Sequence, residues 1–169
     1  MQNYLPHGGV ATIDQFIQAT TTVVGMGPDL AAFLAIYGAV FDGNLLGWSI
    51  GGPATGLDVP LLGKPRGLTG SHNKYEADVS PARGDLYQYG NDYLTVLDQF
   101  KGLYNVQGSE TEETSNYDIG AQTNWRIQRF QQSISENPYF FNNFFSGLLV
   151  QPAAYTFQYR FMANRTSQP

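Results

Sequence analysis

The residues best able to do chemistry lie together in the run Ser71-His72-Asn73-Lys74-Tyr75-Glu76-Ala77-Asp78-Val79-Ser80-Pro81-Ala82-Arg83-Gly84-Asp85. Glu76, Asp78 and Ser80 set three oxygen donors two residues apart, the donor type that hard divalent cations select, with magnesium the expected ion. His72, four residues ahead of Glu76, and Arg83, three beyond Ser80, add an imidazole and a fixed positive charge. His72, Glu76 and Arg83 are therefore candidate catalytic groups for acid–base help to a bound molecule. The same residues also allow a structural reading, in which Asp78 and Ser80 cap a helix, Glu76 lies in solvent and His72 is an ordinary structural histidine. The 169 residues contain no cysteine, which removes thiolate nucleophiles, disulfides and sulfur-held metals from these residues, and His7 and His72 are the two imidazoles.

Thr12 with Gln15 three residues later forms a capping-box pattern, and Ile13, Phe16, Ile17, Val23 and Val24 share a face of a helix over 12–24. Pro28 opens a second helix, whose apolar positions Leu30, Phe33, Leu34, Tyr37, Val40 and Phe41 recur until Asp42-Gly43. Residues 42–70, rich in Gly and Pro around the anchors Trp48 and Ile50, read as a long ordered loop. Ser80-Pro81 reads as the cap and first residue of a short helix, and Asn91 starts another, with Leu94, Leu97, Phe100 and Tyr104 on one face. Gly108–Thr114 reads as an acidic solvated loop. From Ser115 to Glu136, Ile119, Ile127, Phe130 and Ile134 keep helical period with Arg126 and Arg129 outside the stripe, and Asn137-Pro138 ends the run. No alternating run is long enough for a sheet, so the expected class is all-α.

A chain of 169 residues with 42% apolar content and 14% charged residues folds as one domain, and disorder through excess charge is excluded. Net charge −5 and the absence of a basic run leave nucleic acid without an electrostatic surface. No long apolar stretch or leader pattern is present, so no membrane is expected and the chain as written reads as cytoplasmic; a longer N-terminus would make it extracellular.

Beyond these readings, several segments resemble the fungal heme-thiolate peroxidases, the chloroperoxidase or peroxidase family 2 group that includes the unspecific peroxygenases. Tyr4-Leu5-Pro6 with Thr12-Ile13-Asp14-Gln15, the Pro28–Leu34 helix, Trp48-Ser49-Ile50-Gly51-Gly52, and the spaced set His72, Glu76, Asp78, Ser80, Arg83 and Asp85 all match in one order. Arg126 through Asn137-Pro138-Tyr139-Phe140 is similar to the family's helix before its distal pocket. The resemblance implies an all-α chloroperoxidase-like domain over 1–169 with long irregular Gly/Pro-rich loops. It implies that Glu76, Asp78 and Ser80, with the Ala77 carbonyl, hold a magnesium or manganese ion beside a heme propionate. It also implies that the aromatic set Phe140, Phe141, Phe144, Phe145, Leu148 and Tyr155 lines a substrate channel, where core packing is the competing reading.

Two departures from the family pattern set the functional expectation. The family's iron ligand is a Cys in a Pro-Cys-Pro motif ahead of the Tyr-Leu-Pro segment, and this chain has none; heme is therefore not expected. The family's peroxide-cleaving Glu aligns, counting back from Pro152, with Leu148. The expectation is a heme-free relative whose former cleft binds an apolar small molecule, with a cyclisation, isomerisation or hydration in fungal metabolite biosynthesis as its reaction. The alternatives are a heme peroxidase with an unusual axial ligand, His7 being the nearest imidazole, and a non-catalytic homologue. An apolar cleft must be covered, by a ligand or by a homodimer.

Overall fold

The computed structural model describes residues 3–54, 58–107 and 116–161, so the expected acidic loop Gly108–Thr114 lies outside the described residues. The architecture is all-α, as the sequence predicts. Helices α1 (Ile13–Val24), α2 (Pro28–Phe41), α3 (Leu86–Tyr89), α4 (Leu97–Tyr104), α5 (Ile119–Glu136) and α6 (Gln151–Phe161) carry the fold. A 3₁₀ turn spans Leu68–Ser71 and a π-helical turn Ser146–Val150. The one sheet among the described residues pairs β1 (Ala11–Thr12) with β2 (Gly47–Trp48) antiparallel. At two residues each, such strands lie below what an alternating pattern can reveal. The chain divides into two compact units, Met1–Glu76 with Asn91–Leu94, and Ala77–Gly90 with Thr95–Pro169.

In the first unit the expected capping box is present: the Thr12 hydroxyl accepts from the Gln15 amide at 3.3 Å, and the Gln15 side chain accepts from the Thr12 amide at 2.9 Å. α1 and α2 enclose Trp48, which stacks on Phe16 with ring centroids 4.1 Å apart and meets Tyr75 edge-on at 5.0 Å. The inward face of α2 is made of Ala31, Ala35, Gly38 and Ala39, because only small residues let the indole approach; a Cβ on Gly38 would lie 2.4 Å from its ring. The large apolar residues Leu30, Phe33 and Val40 are consequently exposed. Ile50, read as a second anchor beside Trp48, is also exposed.

The described parts of the long loop are joined to one another through their backbone. The Asp42 carbonyl accepts from the amides of Arg66 and Gly67, both at 2.9 Å, and the Gly51 carbonyl accepts from Leu68 at 2.9 Å. Gly67 has φ +68, and a Cβ there would lie 2.4 Å from the carbonyl oxygens of Gly51 and Gly52. Gly67→Ala is expected to lower stability by about 1–3 kcal/mol through backbone strain and overpacking. Gly63→Ala, also at positive φ but facing open space, is the milder control in the same thermal melts.

The second unit corrects two expectations. Ser80-Pro81 opens no helix: Val79 takes φ +69, the Pro81 carbonyl accepts from Trp125 Nε1 at 2.7 Å, and Arg83 pairs with Thr95 as an isolated bridge. With those backbone groups committed elsewhere, the helices begin only at Leu86 and Leu97. In the first unit Asn91 likewise starts no helix but closes a turn, its side chain accepting from the Leu94 amide at 3.1 Å. Helix α5 likewise buries the face opposite to its apolar stripe. Gln122, Trp125, Arg129 and Ser133 are inside, while Ile119, Ile127 and Ile134 are exposed, as are Leu94, Leu97, Phe100 and Tyr104. Arg129 is only 1% exposed; it donates to the Ser80 carbonyl at 3.1 Å, to Asp85 Oδ1 at 3.1 Å and to Gln132.

Candidate functional site

The strained turn Asp78-Val79-Ser80 shows how the second unit fixes its part of the acidic run. A β-branched residue at positive φ persists only where its surroundings dictate it. Here the Val79 amide donates to Asp85 Oδ1 at 3.3 Å, and the Val79 carbonyl accepts from the Tyr155 hydroxyl at 2.9 Å. The Asp78 carbonyl accepts from Gln151 Nε2 at 3.0 Å. The Asp78 carboxylate is engaged at both oxygens, by the Leu86 amide at 3.3 Å and by Asn137 Nδ2 at 2.9 Å. Ser80 Oγ accepts from the Arg83 amide at 3.4 Å. Asp78 and Ser80 thus each hold the backbone beside them. Arg83 is half-buried, with its Nε lacking a hydrogen-bond partner.

In the first unit the donor atoms that converge are those of His72, Glu76 and Asp92, all within 4.8 Å of one another. His72 Nδ1 and Glu76 Oε2 share a hydrogen bond of 2.8 Å, and Asp92 Oδ2 lies 3.7 Å from the same nitrogen. Burial pushes the Glu76 carboxyl up to about 8; the hydrogen bond with His72 works against that rise and the neighbouring Asp92 carboxyl adds to it. Glu76 is only 3% exposed, which overturns the reading of a solvated side chain. Asp92 has no place in the sequence argument, because it sits sixteen residues beyond Glu76 and only the folded loop brings it back.

A groove of about 430 Å³ in the second unit is lined by Ile127 and Phe130 of α5, by Phe144, and by Gly147 and Leu148 of the π-helical turn. Arg126 stands at its wall, donating to the Gly147 carbonyl at 3.1 Å and to Gln151 Oε1 at 3.2 Å, and lying 5.9 Å from the centre of the Phe130 ring. π-Helical turns concentrate at functional sites, because the extra residue displaces side chains from helical register. Of the six expected channel residues, Phe144 and Leu148 line the groove, and Leu148 is 67% exposed. Phe140 packs edge-on against Phe130 at 5.2 Å. Phe141 is exposed and Phe145 half-buried, and neither is among the lining residues. Tyr155 is buried as the clamp on Val79, and burial raises its phenol further above its ordinary value. A second groove, of about 420 Å³ in the first unit, is lined by Tyr4, Leu5, His7, Thr20, Val23 and Val24.

The family described as peroxidase, family 2 matches residues 2–169. The chain belongs to peroxidase family 2. Among curated relatives of this peroxidase family, the aromatic peroxidase fscJ of Fusarium equiseti is 39% identical, covering 96% of this chain and 39% of that protein. The dothistromin biosynthesis peroxidase dotB of Dothistroma septosporum is 35% identical, over 98% of this chain and 40% of its own length. An aromatic peroxygenase of Coprinellus radians is 33% identical over 81% of this chain and 52% of its own. The chain thus spans about two fifths of the length of the first of these relatives.

Family membership implies heme, and the donors present can be tested against it. These 169 residues hold no cysteine, so they offer an iron no thiolate. His72 is engaged with Glu76, and His7 is an exposed residue at the groove of the first unit. The residues present therefore do not fit a thiolate-held heme. No described helix is long and apolar enough to cross a membrane.

Proposed function

We propose that the chain binds an apolar, planar small molecule in the groove between α5 and the π-helical turn, and that its own residues act on that molecule without heme iron. The observation that carries this reading is the combination of the apolar side chains Ile127, Phe130, Phe144 and Leu148 with a single guanidinium, Arg126, and the amides of Gln131, Asn142 and Asn143 in one groove. An apolar pocket with few convergent polar groups is the usual form of a small-molecule site. Aromatic faces at Phe130 and Phe144 suit stacking against a planar ring. The names of the relatives, an aromatic peroxidase and a dothistromin biosynthesis peroxidase, support an aromatic ligand of fungal metabolite origin.

The groove supplies positioning and a positive charge, since Arg126 is its charged residue among the lining groups. A fixed cation attracts the carbonyl or phenolic oxygen of a bound aromatic molecule and so orients its ring in the groove. Arg126, rather than Arg83, takes that role in this reading. Peroxidase chemistry on heme is the second reading, favoured by the relatives' names. It requires an axial ligand other than thiolate, so the chain titrated with hemin would have to give an imidazole-type band that is lost in His7→Ala.

Filling the groove tests the proposal. Leu148→Trp is expected to weaken binding of a planar fluorescent probe such as 1-aminoanthracene at least about tenfold, because the indole occupies the space the ring needs. Unchanged affinity in a folded Leu148→Trp protein would place binding elsewhere.

A further inference from the structure

We propose that the planar molecule held in the groove of the second unit carries a carboxylate, and that Arg126 together with Asn142 binds it. The inference rests on the groove reading above and names the class of ligand, an aromatic carboxylate. Arg126 is the charged group among the lining residues, and no acidic side chain lines the groove. Acidic side chains outnumber basic ones fourteen to nine in the chain, yet among the described residues no carboxylate pairs with Arg126. Arg129, about one turn further along α5, has Asp85 at 3.1 Å. A half-buried guanidinium is costly to hold out of water until an anion meets it.

The second observation is the order of hydrogen bonds that fixes the pair. A guanidinium has donors only, so the atom of Gln151 that meets Arg126 Nη2 at 3.2 Å is the amide oxygen. The Gln151 nitrogen then donates to the Asp78 carbonyl at 3.0 Å and to Asn142 Oδ1 at 3.2 Å. That bond engages the oxygen of Asn142 and leaves its Nδ2 as a donor with no partner among the described residues. Arg126 Nη2 also donates to the Gly147 carbonyl at 3.1 Å, while its Nε has no partner. Both acceptors are neutral oxygens, so they aim the guanidinium without neutralising it. Gln151 is 4% exposed, which keeps this order away from water. Gly147 is required beside it, because a Cβ there would lie 2.5 Å from Asn142 Oδ1. Two lining residues that can only donate call for a ligand group that only accepts, and a carboxylate is planar, charged and acceptor-only. Phe130 and Phe144, in the same groove, take the aryl part.

Calorimetric titration with 2-naphthoate and with 2-naphthamide, alike in shape and different in charge, tests this at neutral pH. The wild-type chain is expected to bind the carboxylate at least about tenfold tighter than the amide. Arg126→Gln should reduce that preference to about twofold or less. Asn142→Asp, which puts an anion into the same groove, should reduce it as well, and His7→Ala in the first unit should leave it unchanged. Equal wild-type affinities for the two probes, with both weakened in Leu148→Trp, would overturn the carboxylate inference and leave the groove reading standing. A preference that survives in folded Arg126→Gln protein would overturn it as well, since the charge would then be read elsewhere. Affinities that Leu148→Trp leaves unchanged would overturn the groove reading and this inference with it.

Discussion

Arg129→Met is expected to cost about 3–5 kcal/mol of stability, the range for breaking a buried ion pair by removing one partner. The guanidinium is the cation that meets Asp85, itself fully buried, and Asp85 also holds the amide of the strained Val79. Methionine keeps the volume and removes the charge, so Asp85 is left buried with no cation and the Val79 turn loses part of its clamp. Asp85→Asn in the Arg129→Met background should recover part of the loss, because an amide is far cheaper to bury than an unpaired carboxylate. Urea unfolding of the two proteins measures both effects. A single variant within about 1 kcal/mol of wild type would mean that the pair is a surface-like contact.

Glu76 makes stability fall as pH rises. Its carboxyl is raised from 4.5 to about 8 in the folded chain, so between those values the folded protein keeps a proton that the unfolded chain has released. The stabilisation is complete below about pH 4.5, declines by up to ~1.4 kcal/mol per pH unit across the window and is gone above about pH 8. Glu76→Gln mimics the protonated form permanently and is expected to flatten the profile between about pH 5 and pH 8 in chelator-containing buffer. Equal slopes in the variant and the wild type would show that another group carries the dependence.

The helices that end in local signals were legible in the sequence. Thr12 with Gln15, Pro28 at a first turn and Asn137-Pro138 act within one turn of the chain, and α1, α2 and the end of α5 follow them. What periodicity could not reveal was which face is inside. On α2 the bulk of Trp48 demands a small-residue face, and on α5 the Arg129–Asp85 pair turns the polar face inward, so the apolar stripes lie outward on both. The Ser80-Pro81 helix failed for a related reason: Val79, Pro81 and Arg83 answer to Tyr155, Trp125 and Thr95, partners far along the chain. At the candidate sites, His72 and Glu76 were visible from their spacing, and Phe144 and Leu148 from the aromatic run. Asp92 and Arg126 were not singled out as site residues, because their roles come from a loop returning and from a π-helical turn that shifts Gly147 and Leu148 out of helical register.

Ligand binding in the groove of the second unit is tested most directly by intermolecular nuclear Overhauser contacts between a bound planar aromatic, such as 1-aminoanthracene, and the methyl groups of the protein. The account predicts contacts to the methyls of Ile127 and Leu148, both of which line that groove. Contacts to Val23 and Val24 instead would move the ligand to the groove of the first unit beside His7 and contradict it, as would a ligand that shows no contact to any methyl.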